Sequence, residues 1–346
     1  MAKTDQSTSY LLQTSIGKFF NNDVSEVSFN GADLYLNLVN KGRRIIEDIS
    51  FNNEQAYNLV KHLADINGKA FNNMNPILDL SFGQFRLNAI HESIGNANNI
   101  GVTTFIIRQI YKGIRVNRAK DNFDEKLVNL FKAIIASKQS IIISGVTGSG
   151  KTEMQKYLVS LVDKHQRLIM IEDTYETHIK DLAPHLDINS WIINQNDQRS
   201  QISDLIRAGL RNNPDWLMLA ESRGSETNEL LLTVTSGIPI ITTLHAQSSL
   251  SAIDRMIHLM GSANKFNNEY LELEIASHIH FYVHMIKEVD AVNNIKRRIG
   301  EIMVTFRKGD FVIKKIIFNL KNKNVYSLLP KEIATLIDVP INWYEN

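Results

Sequence analysis

The residues best suited to chemistry stand in one short run, Gly145-Val146-Thr147-Gly148-Ser149-Gly150-Lys151-Thr152. Its spacing, a glycine, four residues and then Gly-Lys-Thr, is that of a phosphate-binding loop. Glycines let backbone N–H groups turn inward around phosphate oxygens, and a helix beginning at the lysine adds its positive end. Lys151 is then placed to reach the β- and γ-phosphates, and the Thr152 hydroxyl to ligate magnesium. The context fits: Ile141-Ile142-Ile143 reads as a buried strand entering the loop, and Glu153 to Val162 as a helix leaving it. ATP bound with Mg2+ is the expectation.

Two further apolar runs end in acids. Ile169-Met170-Ile171 leads into Glu172-Asp173, with Glu176 shortly after, and Trp216-Leu217-Met218-Leu219-Ala220 leads into Glu221. Carboxylates at the C-terminal ends of strands beside a phosphate loop hold magnesium through water or polarise an attacking water. Taken singly, each also fits a solvated strand end or a helix cap. The Asn-Lys-x-Asp motif of a GTPase does not occur, since Asn194-Gln195-Asn196-Asp197 lacks the lysine. A small-molecule kinase would leave Glu221 and the first third of the chain without a clear role.

These residues need a parallel α/β sheet to bring them together. With 346 residues, 43% hydrophobic and 22% charged, the chain reads as a soluble globular protein of two domains. A net charge of +1 gives no footprint for nucleic acid over the whole chain. The absence of cysteine excludes disulfides, thiol catalysis and thiolate zinc sites. The N-terminus lacks the apolar core of a signal peptide, and no apolar run is long enough for a membrane span, so a cytoplasmic protein without its own anchor is expected.

Residues 1–110 read as an α+β domain. An apolar stripe predicts a helix from about Tyr10 to Phe20, Asn30-Gly31 marks a hairpin, and Ala56, Leu59, Val60, Leu63 and Ala64 share one face of a helix over Asn53 to Ile66. β-like segments follow around Ile77 to Leu80, Phe85 to Ile90 and Thr103 to Ile107. A polar, basic stretch over 111–124, with Lys112, Arg115, Arg118 and Lys120, reads as a linker. From 125 to 346 the rhythm is strand, loop, helix, strand, with strands at Ser140 to Ser144, Leu168 to Ile171, Trp216 to Ala220 and Ile238 to Thr243 and a C-terminal hairpin turning at Lys308-Gly309-Asp310.

With these residues in view, the chain resembles the secretion traffic ATPases, motors of type IV secretion, conjugation and pilus assembly or retraction. Glu172-Asp173-Thr174-Tyr175-Glu176 looks like the family's aspartate box. The stretch Arg207 to Trp216 leading into Ala220-Glu221-Ser222-Arg223-Gly224 looks like its Walker B region, and Gly237 to Ala246, with Thr243-Leu244-His245-Ala246, like its histidine box. Weaker likeness extends to the hairpin at Asp23 to Gly31 and to Arg86-Leu87-Asn88-Ala89-Ile90 and Thr104-Phe105-Ile106-Ile107-Arg108. The lack of cysteine disfavours the branches with a tetracysteine zinc module, and no Ala-Leu-Arg-Leu-Leu-like helix of the retraction motors is apparent, which leans toward type IV secretion, conjugation or a tad-like pilus. Ala220 and Ser222 depart from the usual glycine and valine or isoleucine around the Walker B glutamate.

The resemblance implies a RecA-like P-loop core with a smaller, PAS-like N-terminal domain, assembled as a homohexamer. It implies that Glu221 holds magnesium through water, that Glu172 polarises the attacking water in preference to Asp173 or Glu176, and that His245 senses the γ-phosphate. Arg86, Arg108, Arg207, Arg211 and Arg223 are candidates for neutralising phosphoryl charge, with Arg108 and Arg211 foremost. Partners would be inner-membrane secretion or pilus assembly proteins, with the motor peripheral on the cytoplasmic face. The rival is a RecA-like nucleic-acid translocase, for which the basic run Lys296-Arg297-Arg298 could be offered. That run reads better as a solvated strand or hairpin entry, without interleaved aromatics, and no direct nucleic-acid contact is expected.

Overall fold

The computed structural model describes residues 3–115, 124–193, 200–261, 267–322 and 325–339. Residues 116–123 of the expected linker, and Asn194 to Asp197, lie outside them. The chain divides into two compact units, Met1–Lys112 with Val289–Lys296, and Gly113–Glu288 with Arg297–Asn346.

The first unit contains α1 (Lys3–Gln13), β1 (Val24–Phe29), β2 (Leu34–Leu38), β3 (Gly42–Ile45), α2 (Asn53–Ile66), β4 (Ile77–Phe82), β5 (Phe85–Ile90), β6 (Asn96–Ala97), β7 (Ile100–Gly101) and β8 (Thr104–Gln109). Six strands form one sheet in the order β3-β2-β1-β8-β5-β4, antiparallel throughout. Strand alternation sends Val27, Phe29, Leu87, Phe105 and Ile107 into a core with Leu11 of α1 and Leu59, Val60 and Leu63 of α2. Asn52 and Gln55 close a reciprocal capping box at the start of α2. On the other face, Arg43, Asn37, Glu26, Arg108, Arg86 and Ser81 lie in register across all six strands. Ile295 belongs with this unit and donates its N–H to the Asn40 carbonyl at 2.7 Å.

The first helix lies earlier than the apolar stripe predicts and ends at Gln13. The Thr14 hydroxyl donates to the Leu11 carbonyl at 2.6 Å, and Gly17 packs so closely that a Cβ there would stand 2.4 Å from the Leu12 carbonyl oxygen. The chain folds back on the helix end, and Ile16 reaches the core from that turn.

The second unit contains α3 (Glu125–Ala136), β9 (Ile141–Gly145), α4 (Lys151–Val159), β10 (Arg167–Glu172), α5 (Ile179–Leu182), β11 (Asp187–Ile192), α6 (Ile202–Leu210), β12 (Trp216–Leu219), α7 (Thr227–Thr235), β13 (Ile240–Leu244), α8 (Leu250–Met260) and α9 (Asn268–His278). After them come β14 (Phe281–Val289), β15 (Ile295–Lys308), β16 (Phe311–Asn319), β17 (Val325–Tyr326) and α10 (Lys331–Leu336), the β14–β15 hairpin tip being the part grouped with the first unit. The sheet order is β11-β10-β12-β13-β9-β14-β15-β16-β17, parallel from β11 to β14. Both faces are covered, which is why its strands read as unbroken apolar runs. Ile141, Ile143, Leu168, Met170, Trp216 and Met218 enter one core with α3 and α4. Ile142, Ile169, Ile171, Leu217 and Leu219 enter the opposite core with α7, α8 and α9. Strands β11 and β14 lie outside the strand segments that the sequence pattern predicts.

Among the described residues, no helix is long and apolar enough to cross a membrane.

Candidate functional site

Because β9, β10, β12 and β13 are parallel neighbours, their C-terminal ends open on the same edge of the sheet, where ligands of open α/β sheets bind. The loops leaving those ends carry Gly145–Thr152, Glu172 with Asp173, Glu221 with Arg223, and His245. Convergence of these sequence-distant motifs is a consequence of strand direction.

The phosphate loop needs its glycines. Gly148 has φ +74° and Gly150 has φ +99°, left-handed values at which side chains are strained. A Cβ at Gly145 would stand 2.4 Å from the Met285 carbonyl oxygen of β14. The loop then enters α4, whose buried Gln155 donates from Nε2 to the Leu219 carbonyl at 2.8 Å and to the Ile241 carbonyl at 3.4 Å. That side chain ties the loop's helix to β12 and β13.

Lys151 is buried. Its ammonium donates to the carbonyls of Gly145 at 3.0 Å and Val146 at 3.3 Å and lies 3.3 Å from His245 Nδ1. Burial lowers its pKa, and the charge of Glu221 opposes that. His245 Nε2 is 2.9 Å from Glu221 Oε1, an ion-pair distance outside hydrogen-bonding geometry. Arg223 donates to Glu221 Oε2 at 2.9 Å and to Asp173 Oδ2 at 2.7 Å. The hydrogen bond to Glu221 leads the effects that hold Arg223 more firmly charged than a free guanidinium. The result is a continuous line, Lys151, His245, Glu221, Arg223 and Asp173, across the ends of four strands.

Glu172 stands apart from that line. It is fully buried, and its Oε1 accepts the backbone N–H groups of Glu176 at 3.1 Å and Thr177 at 2.8 Å. Its Oε2 is buried without a hydrogen-bond partner. Burial raises its pKa, against the stabilising backbone N–H groups.

The unusual Ser222 has a structural reason. It is buried, its Oγ lies 2.7 Å from Thr227 Oγ1, and its N–H donates to the Thr243 carbonyl at 2.8 Å. Thr243 in turn donates to the Ala220 carbonyl at 2.8 Å, so the segment carrying Glu221 is fixed to β13.

Of the five candidate arginines, Arg223 joins this line. Arg207 is exposed on α6 and pairs with Glu229 at 2.5 Å. Arg211 is exposed at the end of α6. Arg86 and Arg108 belong to the first unit, where Arg108 contacts Glu26 at 3.4 Å.

The reading of Lys296-Arg297-Arg298 as a solvated entry needs correction at its centre. Arg297 donates from Nε to the Gly148 carbonyl at 2.7 Å. The cause is a pairing remote in sequence, since β14 runs beside β9 and β15 beside β14. No local pattern could have revealed it.

The loop fits a nucleotide on its own atoms. Ser149 Oγ is buried without a hydrogen-bond partner, and Ser149 N–H at 3.2 Å and Lys151 Nζ at 3.3 Å converge on the single Val146 carbonyl. Donors gathered on an inner face, beside a glycine with open space around it, are what a phosphate group requires.

Fold and site together define a P-loop ATPase with a RecA-like core. Residues 84–304 match the family model described as type II/IV secretion system protein. An uncharacterized protein of Bacillus anthracis is 30% identical over 312 residues, covering 87% of this chain and 68% of that protein. The type IV secretion system protein VirB11 of Bartonella quintana is 30% identical over 141 residues. That match covers 40% of this chain and only 38% of the relative. Among solved structures, the pilus retraction motor PilT with bound ADP superposes with a TM-score of 0.58 at 17% identity, over 93% of this chain and 88% of that one, which bears on the fold alone. The chain belongs to the type II/IV secretion system protein family. It is a secretion-type ATPase, and the nucleic-acid translocase reading is set aside.

Proposed function

We propose that this protein is the ATP-hydrolysing ring motor of a type IV secretion, conjugation or pilus-type machine, acting as a homohexamer peripheral to the cytoplasmic face of the inner membrane through partner proteins. The first unit, an antiparallel sheet with two helices on one face, is read as the PAS-like domain of such motors. One observation carries the catalytic reading: the line from Lys151 through His245 to Glu221, which links the phosphate loop to the acidic end of β12.

In this reading the amides of the loop and Lys151 bind the β- and γ-phosphates. Among the described residues no three His, Asp or Glu side chains cluster as a metal site. Magnesium, which would neutralise phosphate charge, would be held by the Thr152 hydroxyl, with Glu221 acting through water. Glu172 orients and deprotonates the attacking water. Its fixed Oε1, its partnerless buried Oε2 and its raised pKa suit a base better than Asp173, which is committed to Arg223. His245 stands where γ-phosphate charge would alter its contacts with Lys151 and Glu221. Arg108 and Arg211 complete the neutralisation of phosphoryl charge in the assembled ring.

Glu221→Gln tests the centre of this scheme. The variant should bind ATP with near-native affinity and lose turnover by on the order of a hundredfold or more. Native turnover would remove Glu221 from the mechanism. ATPase assays with and without DNA at matched salt should show no stimulation.

A further inference from the structure

We propose that Arg297 is a positioning residue for nucleotide, holding the Gly148 carbonyl outward so that the Ser149 N–H faces the inside of the phosphate loop. The inference rests on the nucleotide-binding reading of that loop and adds to it a residue from a strand late in the chain.

Peptide geometry carries the argument. The unit joining Gly148 to Ser149 is planar and trans, so its C=O and N–H point to opposite sides. Arg297 Nε holds the carbonyl at 2.7 Å. The N–H is thereby directed to the other side, where it meets Val146 O at 3.2 Å beside the Lys151 ammonium. Gly148 has φ +74° with open space where a Cβ would lie. No neighbour packs where a Cβ would lie, and the peptide is held at both ends by hydrogen bonds, the charged one from Arg297 on its carbonyl and the Val146 carbonyl on its N–H. Arg297 also lines the loop's exit: its Cδ would lie 3.6 Å from a Cβ at Gly150.

The electrostatic setting points the same way. Arg297 lies between Ile295 and Ile299, both buried, on alternate positions of β15. Burial, together with the positive charge of Arg115, lowers its pKa, and Glu153 only partly compensates. Glu153 is itself engaged by the Arg115 N–H at 2.7 Å and by Lys156 at 3.2 Å. Burying Arg297 near Arg115 costs solvation and repulsion, and a polyanion bound at the loop would offset both.

The test compares wild type, Arg297→Ala, Arg297→Lys and Lys151→Ala by titration with a fluorescent ATP analogue, steady-state ATPase kinetics and thermal melting. Arg297→Ala should raise Kd and KM about tenfold, the worth of a hydrogen bond to a charged group, and leave kcat at saturating ATP and the melting temperature nearly unchanged. Arg297→Lys, which retains a charged donor, should recover most of the affinity. The proposal is overturned if Arg297→Ala binds like wild type, if it lowers kcat with KM unchanged, or if lysine recovers nothing. Should Arg297→Ala fold poorly, the lysine variant decides by the same criterion of affinity. Native binding by Lys151→Ala would instead defeat the underlying nucleotide-site reading. Loss of binding there, with native binding in Arg297→Ala, would defeat only the assignment of Arg297.

Discussion

Lys151 Nζ lies 3.3 Å from His245 Nδ1, and because an ammonium can only donate, this contact sets the tautomer of the imidazole. Nδ1 accepts, so the hydrogen sits on Nε2, the nitrogen 2.9 Å from Glu221. The imidazole thus stands between a cation placed to bind phosphate and a carboxylate. Replacing His245 with Ala should reduce kcat by on the order of a hundredfold, as for loss of a preorganised polar group, with little change in ATP affinity. Equal losses in kcat and affinity would mean that His245 mainly holds Lys151 in place.

Glu172 should make stability fall as pH rises. Its folded pKa is raised by burial above the ordinary value of 4.5, so the folded state binds the proton more tightly than the unfolded one. Its contribution is fully present below that ordinary value and is lost as pH rises through the folded pKa. Glu172→Gln keeps an acceptor for the N–H groups of Glu176 and Thr177 but does not titrate. The stability of wild type relative to this variant, followed by urea denaturation from pH 4 upward, should therefore decline from about 4.5 and then level off. A flat difference would show that the carboxyl is not perturbed. ATPase activity of the variant should be lost in the same samples.

The legible part of the site was what strand direction alone determines. A loop at the end of β9 and acids at the ends of β10 and β12 had to meet once the strands were parallel, and their apolar runs showed that both faces were covered. Illegible were relations set by side-chain reach. Asp173 rather than Glu172 meets Arg223, and two adjacent acids offer no sequence signal to separate them. The run Phe281 to Met285 contains His284, which breaks the apolar pattern; in the structure its Nδ1 lies 3.0 Å from Ser144 Oγ on neighbouring β9. Without a local signal for β14, nothing in the sequence places β15 past the phosphate loop, and Arg297 reads as any surface arginine.

Gly145 should be intolerant of even a methyl group. A Cβ there would meet the Met285 carbonyl oxygen at 2.4 Å and Ser149 Oγ at 2.6 Å, at φ +150°. Backbone cannot step aside as a flexible side chain can, so Gly145→Ala should cost about 1–3 kcal/mol, as overpacking does, and should abolish ATP binding through distortion of the loop. Gly309→Ala is the control. It also places a side chain at positive φ, +63°, but meets nothing within 4 Å, and should cost about 1 kcal/mol with ATP binding intact. Equal behaviour of the two variants in urea denaturation and nucleotide titration would refute the contact argument.

Arg108 should separate stability from turnover. Its Nε lies 3.4 Å from Glu26, whose other oxygen is 3.3 Å from Arg43. The Glu26 side chain is only 10% exposed, whereas Arg108 is 60% exposed. An ion pair so open on the arginine side is worth at most about 1 kcal/mol, and Arg43 remains to balance Glu26 after Arg108→Ala. Stability should therefore hardly change. If Arg108 neutralises phosphoryl charge, turnover by the assembled protein should nevertheless fall by at least about tenfold, toward the range seen when a transferring phosphoryl group loses an arginine. Native turnover at native stability would leave Arg108 as a surface partner of Glu26 and move the neutralising role to Arg211 or Arg223, to be resolved by the same assay on Arg211→Ala.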